Sequence, residues 1–284
     1  MNRKRPIIAL TGSSGAGKTN IKSIFNEIFF ENSIKAINIQ GDGFHKYTRT
    51  KMEELDKTGS RLTHFASECN HLDLLENLFK QFSTTGKGIT RRYAHSESEA
   101  KKIGAQIGFF SEWEEFEPNY DILFYEGLHG GFKDDNIDIT KYVDLLIGIT
   151  PSINLEWVQK CHRDLIVRGY SKNQVKKLIV KRLPDYLEYI CPQFSRTDAN
   201  LERIPLVDLA DPFKIKSIPA DKNSIYVLSI KDNSIIKGLK TCIEKFDLFT
   251  TDSDNMTITV RAKELKSLFE LIFLPKILNL IGRE

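Results

Sequence analysis

Cysteine is scarce and scattered in this 284-residue chain: Cys69, Cys161, Cys191 and Cys242 are all there is, and no two stand in a CxxC pair. That spacing argues against a structural zinc site and a thiol redox motif, and in a reducing compartment it leaves the thiols unpaired. Neither sign of charge dominates. With 41 basic and 38 acidic residues the formal net charge is +3, so nothing global argues for a nucleic-acid or membrane partner. Long apolar runs are missing too, since no stretch approaches the ~18 residues of a membrane-spanning helix. The basic start at residues 1–5 is followed by an apolar stretch, Ile7 to Leu10, that Gly12 ends before it could serve as a signal peptide. A soluble, cytoplasmic protein is expected. Repeats, low-complexity tracts and Pro/Ser-rich linkers are likewise lacking. What remains, 40% hydrophobic and 28% charged residues, is ordinary globular usage. It is read as one domain over residues 1–284, with 200–284 an elaboration of it.

Residues 6–11 read as a buried strand, followed by a Gly/Ser turn and a helix from Lys18 with Ile21, Ile24, Phe25, Ile28 and Phe29 at helical spacing. Further strands are predicted over 34–39, 120–125, 145–149, 225–230 and 256–260. Helices are predicted over 72–82, 155–168 and 172–189, the last with Ser171 as N-cap, and over 262–280, where Pro275 should break or kink the helix. Short buried strands alternating with helices predict a mixed, mainly parallel sheet covered by helices on both faces.

The turn after the first strand reads Gly12-Ser13-Ser14-Gly15-Ala16-Gly17-Lys18-Thr19, the complete GxxxxGK[ST] pattern in strand–loop–helix context. Glycines there allow unusual dihedrals and close approach, so that backbone N–H groups at the helix start can cradle a phosphate. Lys18 would reach the β and γ oxygens of ATP, and Thr19 would offer a hydroxyl to Mg2+. The fold class expected is therefore α/β and P-loop NTPase-like. Such a loop fixes nucleotide binding but not reaction class, which later acidic residues must supply. Asp42 ends the second strand, within Gly41-Asp42-Gly43-Phe44-His45; it is either a turn aspartate or the general base that takes a proton from a substrate hydroxyl. Glu126 ends a buried run where an acid is needed for magnesium or its water shell.

Two basic segments follow. Lys160, Arg163, Asp164 and Arg168 lie within a few turns of one predicted helix, with Lys181 and Arg182 on the next. They are either a solvated face or a cis-acting source of positive charge for the transferring phosphoryl group. His45, Lys46, Arg49 and Lys51 come directly after the candidate base. Arg49 offers a planar fork suited to phosphate, which favours an anionic acceptor over a neutral nucleoside.

These segments resemble the bacterial-type phosphoribulokinases, within the wider phosphoribulokinase and uridine kinase group. The resemblance rests on TGSSGAGKT, GDGFHKYTR, FYEGLHGG, INLEWVQKCHRD, RGYS and YICPQFSRTD across residues 11–198, and more loosely on PLVDLADPF and LIFLPKILNLI beyond. It implies phosphorylation of the 1-hydroxyl of D-ribulose 5-phosphate by ATP and Mg2+, with Asp42 as general base. It implies His45, Arg49 and Arg168 as substrate-binding residues and Lys160, Arg163 and Asp164 as catalytic, to which the residue pattern itself adds Arg182 and Lys18 respectively. Thr19, Glu126 and Asp164 would be metal-linked, and the protein a homo-oligomer acting on a small sugar phosphate. Two departures stand out. Bacterial members usually carry threonine or serine where this chain has Lys18, and the arginines through which some respond to NADH correspond here to Ser229 and the non-basic 252–255. A uridine-kinase-like nucleoside kinase, a kinase of another sugar phosphate and an ATP-binding regulatory protein remain the alternatives.

Overall fold

The computed structural model describes residues 5–166, 168–232, 235, 249–251 and 256–283; Cys242, the 252–255 stretch and residues 1–4 of the basic start lie outside them. In chain order the elements are β1 (Ile7–Thr11), α1 (Lys18–Glu31), β2 (Ala36–Gln40), α2 (Arg49–Lys57), α3 (Leu72–Thr85) and β3 (Gly88–Thr90). They continue with α4 (Glu97–Ile103), β4 (Glu114–Phe116), β5 (Ile122–Gly127), β6 (Leu145–Ile149), α5 (Ile153–Ile166) and α6 (Lys172–Asp185). The chain closes with β7 (Ala199–Pro205), β8 (Ser224–Ile230), β9 (Phe249–Thr251), β10 (Met256–Arg261) and α7 (Leu265–Leu280).

Eight strands form one sheet in the order β2-β5-β1-β6-β7-β8-β10-β9. The first five pair in parallel and the last three continue antiparallel. Sequence explains the division. IIALT, ILFYEG and LLIGI are apolar at successive positions and buried on both faces, as strands covered by helices on both sides must be. SIYVLSI in β8 instead alternates between buried and half-buried, with one face on the core. Along β1 the side chains divide by that same two-residue period. Ile8 and Leu10 join α1 and α7 through Phe25, Phe269 and Phe273, whereas Ile7 and Ala9 join α3 through Phe79 and Phe82.

Several expectations need correction. The 262–280 helix is not broken at Pro275, which lies within α7. Buried Leu268, Phe269, Ile272, Phe273 and Ile277 flank it on both sides, and that burial outweighs the ~3 kcal/mol of an interior proline. The 155–168 helix ends at Ile166, so Arg168 lies beyond it, and α6 gives way to a π-turn over Tyr186–Ile190. Ser171 does cap α6, forming a reciprocal capping box with Gln174. Among the described residues no helix is long and apolar enough to cross a membrane.

Candidate active site

The loop between β1 and α1 takes its shape from glycine. Gly15 and Gly17 have φ of 111° and 94°, where a side chain would be strained. A Cβ on Gly15 would also lie 3.1 Å from Lys160 Cβ and 3.2 Å from the Glu156 carbonyl, so the loop rests directly on α5. Helix α1 has no side-chain cap, which leaves its first N–H groups for an anion. Lys18 donates from Nζ to the carbonyls of Gly12 (2.9 Å) and Ser13 (2.7 Å). Burial lowers its pKa, with Glu126 and Asp42 opposing. Thr19 is exposed at the helix start, and Ser13 Oγ is buried without a partner among the described residues. A curled loop with open amides, an orphaned hydroxyl and a lysine above it fits a polyphosphate.

Helix α5 supplies positive charge around one carboxylate. Asp164 is fully buried, 2.6 Å from Lys160 Nζ, 2.9 Å from Arg163 Nη2 and 3.3 Å from Arg168 Nη1. Burial pushes its carboxyl up, but Arg163, Lys160 and Arg168 outweigh it and hold the group well below the usual carboxylate range. Lys160 is lowered to about 7, by burial first and then by Arg182, with Asp164 opposing. The two partners move unequally for a physical reason: Asp164 is attracted by three cations, whereas Lys160 is attracted by one carboxylate and repelled by Arg182 and Arg163. Arg163 Nη2 reaches Ser14 Oγ at 3.0 Å, which ties the cluster to the phosphate loop. Both Asp164 oxygens are engaged by cations.

Asp42 does not end the second strand but sits in a 3-10 turn, Gly41–Phe44, just past β2. Sterics require both flanking glycines. A Cβ at Gly41 would meet Tyr125 Oη at 2.4 Å, and one at Gly43 would meet the Arg91 carbonyl at 2.1 Å. Arg91 braces the turn, donating from Nε to the Gly43 carbonyl (2.7 Å) and from Nη2 to that of His45 (2.5 Å). Its guanidinium is held over the rings of Phe110 (3.8 Å) and Trp113 (4.5 Å). The Asp42 carboxylate faces His45 Nε2 at 3.3 Å and His95 Nε2 at 2.9 Å. Burial raises its pKa, but the two imidazoles outweigh this and hold it well below the ordinary value. Arg168 Nη2 lies 3.0 Å from His95 Nδ1. Arginine can only donate, so Nδ1 accepts and His95 must present Nε2–H to Asp42.

Asp42, His45, Arg49, Arg168, Arg182 and Ser14 all line one cleft of about 640 Å³, so the expected acceptor-binding residues converge on the candidate base. Arg49 opens α2, which Thr48 caps, and its Nη2 donates to the His95 carbonyl at 3.2 Å. Arg182 is half-buried, and desolvation of its guanidinium is the main cause that lowers it to about 10; its Nε has no partner among the described residues. Lys46 and Lys51 do not join them: both are exposed, and Lys51 pairs with Glu54 at 3.1 Å. Lys181 pairs with Asp56 across the cleft mouth at 2.6 Å. Glu126, at the end of β5, pairs with Lys22 at 2.9 Å. Sequence reasoning passed over Arg91, Tyr93 and His95. The only signal was basic and aromatic residues interleaved in RRYAH, without periodicity to place them.

A family model described as "Phosphoribulokinase / Uridine kinase family" matches residues 7–210. The chain belongs to this family. Its curated relatives include the chromosomal phosphoribulokinase of Cupriavidus necator, 42% identical over 288 residues, which covers 100% of this chain and 98% of that protein. The phosphoribulokinase of Sinorhizobium medicae is 43% identical over 290 residues, covering 100% and 99%. A solved structure of phosphoribulokinase from Rhodobacter spheroides superposes with a TM-score of 0.86 at 35% identity, covering 99% of this chain and 98% of the other. The phosphoribulokinase fold thus extends through the C-terminal strands and α7, past the last residue of the family match.

Proposed function

We propose that this phosphoribulokinase-family protein transfers the γ-phosphoryl group of ATP to the 1-hydroxyl of D-ribulose 5-phosphate, giving ribulose 1,5-bisphosphate and ADP. The observation that carries this reading is the single cleft shared by Asp42 and the Arg49, Arg168 and Arg182 guanidiniums. Arg168 already has Asp164, but a neutral nucleoside would bring no anion to Arg49 and Arg182, whereas a sugar phosphate supplies one and places a hydroxyl at the carboxylate. Asp42, held ionised, accepts the hydroxyl proton, while His95 and the braced Gly41–Phe44 turn orient it. Lys18, Lys160 and Arg163 stabilise charge on the transferring group from the phosphate-loop side.

Among the described residues no three His, Cys, Asp or Glu side chains converge to hold a metal by themselves. Mg2+ would take most of its ligands from phosphate and water, with Thr19 and Glu126 beside it, and would neutralise β- and γ-oxygen charge. Homo-oligomerisation is part of the proposal, supported by the exposed stripe of Val180, Leu183 and Leu187 at helical spacing. A coupled ADP-release screen over ribulose 5-phosphate, other pentose phosphates and uridine tests the reaction. Turnover with ribulose 5-phosphate is expected; turnover with uridine alone, or with no sugar phosphate, would overturn it.

A further inference from the structure

Asn70 forms an isolated bridge with His45 and is 3% exposed. Its Nδ2 lies 2.7 Å from the Ala66 carbonyl and 3.0 Å from the His64 carbonyl, groups that can only accept. Reversing the amide would set Oδ1 against those two oxygens, so the orientation follows from the backbone. Oδ1 then faces His45 Nδ1 at 2.6 Å, and an oxygen with no proton of its own requires one on Nδ1. The surrounding contacts keep the ring from turning. His64 stacks on it at 4.0 Å, and Tyr93 meets it edge-on at 6.1 Å. The backbone pairs Lys46 N with the Cys69 carbonyl (2.8 Å) and His71 N with that of Phe44 (2.7 Å). The remaining neighbour of the amide, His129 Nε2 at 3.1 Å, lies on the Nδ2 side and leaves Oδ1 unchanged.

We infer that Asn70 is a positioning residue that keeps a proton on Nδ1 of His45 in every ionisation state, making Nε2 the atom that serves Asp42 and the cleft. Two consequences follow from the 3.3 Å separation of Nε2 from Asp42 Oδ1. A neutral ring with its proton on Nδ1 would turn a lone pair toward the carboxylate, whereas the imidazolium presents Nε2–H to it. Nε2 can then donate to an oxygen of an anionic acceptor only as that imidazolium. Were Asn70 unable to accept, Asp42 would draw the proton to Nε2, and the neutral ring would reverse its tautomer.

Nitrogen-15 NMR of histidine-labelled full-length protein reads this directly, with His45 identified by the signal lost in His45→Gln. In the wild-type protein Nδ1 should show the protonated shift throughout a pH titration. In Asn70→Leu it should lose that proton at the alkaline end. An unprotonated Nδ1 at any pH in the wild type would overturn the inference even if the variant did not fold, and so would a variant Nδ1 that stays protonated throughout. The kinetic arm rests on the proposed sugar-phosphate reaction: Asn70→Leu should raise KM for ribulose 5-phosphate about tenfold, with kcat within about threefold. A fall in kcat alone would count against the positioning role. Lack of turnover by wild-type protein would sink the reaction and leave the NMR result standing.

Discussion

At the scale of single residues, the chemistry depends on charges kept where water would normally weaken them. Asp42 has two imidazoles on its two oxygens, and one of them is fixed by Arg168, which in turn rests on Asp164. The proposed base is therefore connected to the phosphate side through fixed donors and acceptors. Asp42→Asn keeps the shape and removes the proton acceptor, so turnover should fall by about 10²–10⁴-fold. ATP affinity, measured by direct binding, should stay unchanged; retention of full turnover would remove the general-base role. Lys160 is the cation most exposed to loss by titration. Its proton is lost as pH rises through about 7 in the free enzyme, so kcat/KM for ATP should decline with rising pH there. Lys160→Arg stays charged throughout that range. Its profile of kcat/KM against pH should lack this limb, whatever the absolute rate.

At the scale of elements, the site is built from turns locked by what packs behind them. The Gly41–Phe44 turn has Tyr125 and Gly127 behind one glycine and Arg91 behind the other. Gly43→Ala forces a Cβ onto a backbone oxygen, which cannot swing aside as a side chain can. The turn must shift, and a misplacement of the base by about 1 Å is expected to lower kcat about 10²-fold. Steady-state kinetics beside ATP binding would check this, since the phosphate loop is untouched and nucleotide affinity should persist. The same geometry shows why some elements were legible in sequence and others were not. β1 and α1 announce themselves through a contiguous apolar run, a glycine-rich turn and helical spacing from Ile21 to Phe29. Asp42 stood out because the turn is flanked by glycines. His95 did not, because its role arises from a segment without periodicity, brought to Asp42 by contacts among Arg49, Arg168 and Tyr93. α2 was missed for a related reason: it has no buried residue, hence no apolar stripe to read. Pro275 misled because local propensity was judged without the burial on both sides of it.

At the scale of the whole molecule, one apolar cluster gathers residues from Ile8 to Ile281, so the C-terminal strands and α7 share the core that seats the phosphate loop. The opposite side of the sheet bears polar groups with no solvent to turn to, and this makes the fold sensitive to acid. His129 is 3% exposed, and burial, followed by the charge of His45, lowers its pKa from 6.5 to about 3. His64 is lowered well below 6.5, again by burial first and His45 second. Below 6.5 the unfolded chain takes up protons on both rings while the folded chain does not, so stability falls as pH falls, down to the folded values. The slope approaches about 1.4 kcal/mol per pH unit for each histidine. The depressed carboxylates Asp42 and Asp164 act in the same direction, but only once pH falls through their unfolded value of 3.8. The two windows are therefore separable. Urea midpoints should drop between about pH 6.5 and about pH 4.5, with His71, also lowered, adding to the drop and Glu156, raised by burial, opposing it, and His129→Gln should make that drop shallower. An equal slope in the variant would show that His129 gains its proton in the folded protein, and that the buried ring has a partner for it.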